Sequence, residues 1–149
     1  MVKHARILIV DDDENIRNTM KTILEDEGYE VDLASTGNEA IKRTKEAVYN
    51  IALLDIRLPD MEGVELLKLM KEGIPRTRKI MVTGYPSMQN AVTALNNNAD
   101  AYLIKPVDIE KLLTMVKEQI IAQKEEKTFS EQRVAEFIET RVKEISTIT

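Results

Sequence analysis

Five short apolar, β-branched runs alternate with stretches of helical period, and this alternation constrains the fold of the 149-residue chain more than anything else in it. The runs are Ile7–Val10, Tyr29–Ala34, Ile51–Leu54, Ile80–Val82 and Tyr102–Ile104. Strands this apolar must be buried on both faces, which predicts a parallel sheet covered by helices on each side. Ile16, Met20, Ile23 and Leu24 mark a first helix, with Gly28 as its C-terminal stop. Ala40, Ile41, Thr44 and Val48 mark a second, after the Thr36-Gly37 turn. Val64, Leu67 and Met70/Lys71 mark a third, closed by Gly73 and Pro75. A fourth runs from Ser87 through Ala91, Val92, Ala94 and Leu95 to the Asn96-Asn97-Asn98 run. A fifth starts at Asp108, a good N-cap, and carries Leu112, Leu113, Val116, Ile120 and Ile121.

After about Ala122 the pattern changes. Gln123–Lys127 is charged and free of apolar residues, and Thr128-x-x-Glu131 has the form of a capping box. Val134, Ile138, Val142 and Ile145 follow at steps of four, four and three, which predicts a separate amphipathic helix. Residues 1–123 thus read as one domain, and 124–149 as a charged linker with an extra C-terminal helix. That tail carries five basic and six acidic residues, so it is neither a basic nor an acidic arm.

Composition removes several chemistries. There is no Cys, hence no disulfide framework, thiolate nucleophile or Cys-based zinc site, and a reducing cytoplasm is the expected location. A Ser/His/Asp triad or a multi-His metal site would rest on His4 alone, at the N-terminus. A net charge of -5 argues against a broad, direct nucleic-acid footprint. No apolar run approaches the length of a membrane span, and no basic-then-apolar leader opens the chain.

In open parallel sheets, ligands bind beyond the carboxyl ends of the strands. Asp11, Asp12 and Asp13 follow the first strand, Asp55 the third, Thr83-Gly84 the fourth and Lys105-Pro106 the fifth. Each has an ordinary reading by itself: Asp runs occur in turns, and Lys-Pro is a common surface dipeptide. Their gathering at one sheet edge is what points to phosphate chemistry. Clustered carboxylates repel one another unless a cation or a proton is taken up. Oxygen ligands without His or Cys favour Mg²⁺, with Mn²⁺ able to substitute. Beside such a metal, Asp55 suits the role of a nucleophile that forms an aspartyl-phosphate. Lys105 offers a compact positive charge, while the Thr83 hydroxyl and the Gly84 N–H offer donors to phosphoryl oxygens. Gly84, lacking a side chain, is expected to let its backbone approach closely.

The stretches Ile7-Leu-Ile-Val-Asp-Asp-Asp-Glu14, Leu53-Leu-Asp-Ile-Arg-Leu-Pro-Asp-Met-Glu-Gly63, Met81-Val-Thr-Gly84 and Ala101-Tyr-Leu-Ile-Lys-Pro106 together resemble the receiver domain of two-component response regulators. The resemblance covers about residues 5–122. It implies a doubly wound, flavodoxin-like α/β fold with strand order 2-1-3-4-5. By position, Asp12 corresponds to the direct metal ligand, Asp11 to a ligand through water, and the Arg57 carbonyl to the third protein ligand. Asp13 falls one place past the acidic pair and reads as a helix cap or surface residue. Asp55 corresponds to the phosphoacceptor, Thr83 to the switch hydroxyl and Tyr102 to the rotating aromatic, and a cis peptide bond is implied between Lys105 and Pro106. Arg57 and Tyr85 occupy variable positions, where a side chain can affect phosphoryl lifetime or access. The Gly-Tyr-Pro-Ser segment (84–87) is similar to receivers attached to AAA+ transcriptional activators.

The implied function is a phosphoacceptor switch rather than an enzyme. A sensor histidine kinase or phosphotransfer protein would supply its phosphoryl group, and a downstream protein target would read its state. A haloacid-dehalogenase-type phosphohydrolase would want a second Asp two residues after the nucleophile, where this chain has Arg57. A flavin-binding protein would want a phosphate-cradling loop where three aspartates stand. A non-phosphorylated module of the same fold is disfavoured because no acceptor, metal or lysine position has been lost. The 26-residue tail is too short for a DNA-binding output domain. Its stripe has three possible uses: folding back on its own receiver, docking on a further domain or partner, or pairing with a second copy. A homodimer would use that helix or the face of the fourth and fifth helices.

Overall fold

The computed structural model describes residues 5–70 and 76–148. Five strands and five helices alternate: β1 (Arg6–Val10), α1 (Glu14–Asp26), β2 (Glu30–Ala34), α2 (Gly37–Glu46), β3 (Ile51–Asp55), α3 (Gly63–Leu69), β4 (Arg78–Thr83), α4 (Met88–Asn96), β5 (Ala101–Ile104) and α5 (Ile109–Ile148). All strand pairs are parallel, in the order β2-β1-β3-β4-β5. The doubly wound sheet expected from the alternation is therefore present.

The side-chain period of two along each strand builds two cores from one sheet. Leu8, Val10, Ala52, Leu54 and Met81 point to one face, where Ala40, Leu66, Leu67 and Ala94 of α2, α3 and α4 cover them. Ile7, Ile9, Ile51, Leu53, Ile80 and Val82 point to the other, against Met20 and Leu24 of α1 and Leu112 and Val116 of α5. β3, central in the sheet, is buried along its whole length. Its last residue is Asp55, so a carboxylate caps the most enclosed strand.

Helix ends follow local chemistry. Asp13, Thr36 and Ser87 cap α1, α2 and α4 by accepting from the N–H groups of Ile16, Glu39 and Asn90. The Asp108 carboxylate caps α5 through Lys111 N–H at 3.1 Å. α1 stops at Gly28, whose φ of 95° only glycine adopts at little cost, and Asn98 takes φ 69° beyond α4.

Three expectations need correction or restriction. α2 ends at Glu46 and Val48 is 85% exposed, so Val48 is not part of its buried stripe. Tyr49 enters the core instead, its hydroxyl donating to Asp32 Oδ2 at 2.6 Å. Burial, and then the bond to Asp32, pushes the Tyr49 phenol up from its ordinary range. Lys71, expected within the third helix, and Gly73 and Pro75, expected to close it, lie outside the described residues, as does His4.

The largest difference lies at the tail, where α5 does not break at Gln123–Lys127 but continues through it as one helix of 40 residues, about 60 Å long. The stretch contains only Gln, Lys and Glu, all good helix formers, so nothing there stops propagation. Thr128 lies within the helix and does not cap one. Gln123 is 4% exposed: its amide donates to the carbonyls of Asn50 (3.1 Å) and Arg76 (2.9 Å), and its Oε1 accepts from Asn50 Nδ2 (2.8 Å). One turn on, Glu126 meets Arg78 at 3.2 Å. Beyond this clamp, Val134, Ile138, Val142 and Ile145 are all exposed, so the stripe is not folded back on its own receiver.

Candidate functional site

At the carboxyl edge of the sheet, the ladder continues past the strand ends and sets the site. Asp11 N–H donates to Ala34 O (3.1 Å), extending β1 along β2. Lys105 N–H donates to Thr83 O (2.7 Å), extending β5 along β4. Backbone pairing thus brings Asp11, Asp55, Thr83 and Lys105 to neighbouring strand ends. Asp11 and Asp55 are buried while Asp12 is exposed. One carboxylate oxygen from each of Asp11, Asp12 and Asp55 lies within 4.8 Å of the others. Asp13 faces away and caps α1.

Lys105 Nζ stands between the two buried carboxylates, 2.7 Å from Asp11 Oδ2 and 3.2 Å from Asp55 Oδ2. Burial and then the Asp11 charge push the Asp55 carboxyl up, and Lys105 offsets only part of this. For Lys105, burial acts downward, but Asp11 and Asp55 outweigh it and the net shift is upward. Three carboxylates against one ammonium leave the cluster with two formal negative charges when all are ionised. Asp11 Oδ2 is buried and close to Lys105, yet makes no aligned hydrogen bond. An all-oxygen donor set and an excess of negative charge together suit a hard divalent cation.

The acceptor-side loop is folded tightly behind Asp55. Arg57 N–H donates to Asp55 Oδ1 (3.3 Å), Gly63 N–H to Ile56 O (2.6 Å) and Leu58 N–H to Met61 O (3.1 Å). A Cβ on Gly63 would stand 2.2 Å from the Asp55 carbonyl oxygen, so any side chain there would displace the backbone of Asp55. Asp60 anchors the same loop to α2, accepting from Gly37 N–H (2.8 Å) and Asn38 N–H (2.9 Å). These bonds, Asn38's first, hold the Asp60 carboxyl below its usual range. Sequence reasoning missed Gly63 and Asp60 as positioning residues. Their signal was present in the Asp60-Met-Glu-Gly63 stretch, but without a fold it reads as an ordinary turn.

Thr83 is fully buried and its Oγ1 accepts from Tyr85 N–H at 2.9 Å. The Lys105-Pro106 bond is cis, as the resemblance implied. Around Gly84 a Cβ would meet only the Lys105 stem at 3.9 Å, so its neighbours do not demand glycine. Tyr102 packs its ring against the α2–α4 core, and its buried hydroxyl has no hydrogen-bond partner among the described residues.

A five-stranded parallel sheet that gathers an acidic cluster, a hydroxyl and a lysine at one edge defines a CheY-like receiver fold. The chain belongs to the response regulator receiver domain family, whose profile matches residues 7–117. Among curated relatives, the transcriptional regulatory protein ZraR of Klebsiella oxytoca is 39% identical over 114 residues, which are 76% of this chain and 26% of that protein. The chain thus spans about a quarter of the length of the ZraR and AtoC regulators it matches. Among solved structures, a CheY-like receiver domain protein from Methanospirillum hungatei is 50% identical with a TM-score of 0.79, covering 83% of this chain and 99% of that one. The beryllofluoride-activated NtrC4 receiver domain dimer is 37% identical with a TM-score of 0.74, covering 79% and 98%. This is a receiver domain of two-component signalling. Among the described residues no helix is long and apolar enough to cross a membrane.

Proposed function

We propose that Asp55 accepts a phosphoryl group from a sensor histidine kinase or phosphotransfer protein and that the resulting change is read by a downstream protein. The observation that carries this reading is the Lys105 ammonium bridging Asp11 and Asp55 beside the exposed Asp12. An Asp55 carboxylate oxygen attacks phosphorus, the donor's N–P bond breaks, and its electron pair returns to the imidazole, which takes up a proton. Lys105 holds one phosphoryl oxygen, and the Gly84 N–H and Thr83 hydroxyl donate to others. Asp11, Asp12, Asp55 and the Arg57 carbonyl would hold Mg²⁺, which neutralises phosphoryl charge as it is transferred. The protein is not an enzyme toward other substrates in this reading, and it works in the cytoplasm.

Two surfaces support the partner assignments. An apolar groove of about 490 Å³ runs beside Lys105, lined by Ile16, Met20, Ile23, Val107 and Leu112, and suits a donor protein's helix next to the acceptor. On the opposite flank Met88, Val92, Leu95 and Ile104 are exposed around α4 and β5, and Tyr102 sits beneath with an unpaired hydroxyl. A buried phenol without a partner costs about 1–3 kcal/mol, so its inward position is only weakly preferred. Phosphorylation that draws Thr83 toward Asp55 would shift Tyr102 and this face together. The exposed stripe of α5 suits pairing with a second copy, since the unbroken helix carries it away from its own receiver.

The test is covalent labelling. Incubation with Mg²⁺ and acetyl phosphate is expected to add one phosphoryl mass to the wild-type chain and none to Asp55→Asn. Equal labelling of the variant would overturn the assignment.

A further inference from the structure

Two loops that flank Asp55 are joined by a contact that phosphoryl transfer itself does not use. The Arg57 guanidinium lies over the Tyr85 ring, 4.5 Å from its centroid. Arg57 belongs to the loop after β3, where its N–H bonds Asp55; Tyr85 belongs to the loop after β4, where its N–H bonds Thr83 Oγ1. The two strands are neighbours, with Asp55 opposite Val82, so the stack ties the acceptor loop to the Thr83 loop at the rim of the site. The Tyr85 carbonyl also accepts from Asn90 Nδ2 at 3.1 Å, which joins the segment to the first turn of α4. Tyr85 is 62% exposed, so core packing does not explain where its ring is held.

We infer that Arg57 and Tyr85 form a positioning pair that holds the Thr83 hydroxyl turned away from Asp55 until a phosphoryl group arrives. The inference rests on Asp55 being the acceptor. In this arrangement Thr83 Oγ1 accepts from Tyr85 N–H at 2.9 Å, and we take its turn toward a phosphoryl oxygen to break that bond and free the segment carrying the ring. The stack therefore belongs to one of the two arrangements. An interaction made in only one state biases the equilibrium by its own strength and weakens, to the same degree, any ligand that selects the other. The planar guanidinium suits this role because it stacks on an aromatic face as an ammonium does not. An exposed cation–π contact corresponds to about a two- to five-fold bias.

The experiment is a calorimetric titration of the full chain with beryllofluoride in saturating Mg²⁺. Tyr85→Ala is expected to tighten binding about two- to five-fold, while Tyr85→Phe, which keeps the ring, leaves it unchanged. In an Arg57→Ala background, Tyr85→Ala is expected to have no further effect. Comparing the two backgrounds isolates the pair from the charge that Arg57→Ala also removes. Tyr85→Ala acting equally in both backgrounds, or failing to tighten binding in the first, would overturn the pair. Failure of the wild-type chain to bind beryllofluoride at all would overturn the acceptor assignment, and the pair with it.

Discussion

Replacing Asp55 by Asn tests the electrostatics of the site without any phosphoryl donor. The Asp55 carboxylate sits 3.2 Å from Lys105 Nζ, with Asp11 and Asp12 oxygens within 4.8 Å. At an effective dielectric near 20, the Lys105 attraction is about 5 kcal/mol and each repulsion at the outer distance about 3.5 kcal/mol. Two repulsions exceed one attraction by about 2 kcal/mol, and burial of the charge acts in the same direction. Screening at exposed Asp12 lowers the sum, so Asp55→Asn is expected to stabilise the metal-free protein by about 1–2 kcal/mol at pH 7. For a chain of this size that raises Tm by about 2–8 °C. The bond from Arg57 N–H survives, because Asn keeps a carbonyl oxygen in place of Oδ1.

The pH dependence gives a second check on the same variant. The Asp55 carboxyl is raised in the folded state, so its neutral form favours folding below the unfolded-state pKa, and that stability is lost as pH rises through the folded value. The gap between variant and wild type should therefore be small in acid and open as pH rises through and above the ordinary carboxylate range. Urea melts in EDTA across that interval measure it, and Mg²⁺ should then stabilise the wild type more than the variant. A variant less stable than wild type at pH 7 without divalent cation would show that the Lys105 attraction dominates, which would refute the reasoning.

Two further outcomes concern the long helix. Gln123→Ala removes three hydrogen bonds, one from Asn50 Nδ2 and two to the carbonyls of Asn50 and Arg76, and a loss of about 2–4 kcal/mol is expected in urea melts; a change below about 0.5 kcal/mol would mean that the clamp does not hold α5. Truncation after Lys127, which spares Gln123 and Glu126, is expected to convert a dimer to a monomer in sedimentation; a dimer that persists unchanged would remove the tail from the assembly.

The alternation of strand and helix, the caps at Asp13 and Asp108, and the gathering of acidic, hydroxyl and lysine residues at strand ends were legible because each depends on near neighbours in the chain. Period-two burial follows from strand geometry alone, and a carboxylate just after an apolar run must emerge at the sheet edge. Tertiary structure decided what depends on distant partners. Gln123 looked like the start of a linker because a lone Gln among charges carries no sign of burial; only the carbonyls of Asn50 and Arg76, on other elements, make it a clamp. Val48 matched a helical period, yet Tyr49 took the core once Asp32 supplied a partner for its hydroxyl. Gly63 and Asp60 carried no role of their own until the fold laid one against the Asp55 carbonyl and the other against the start of α2. Sequence period records which face a residue presents, whereas contacts across tens of residues are set by how the elements pack, and those contacts position the candidate site.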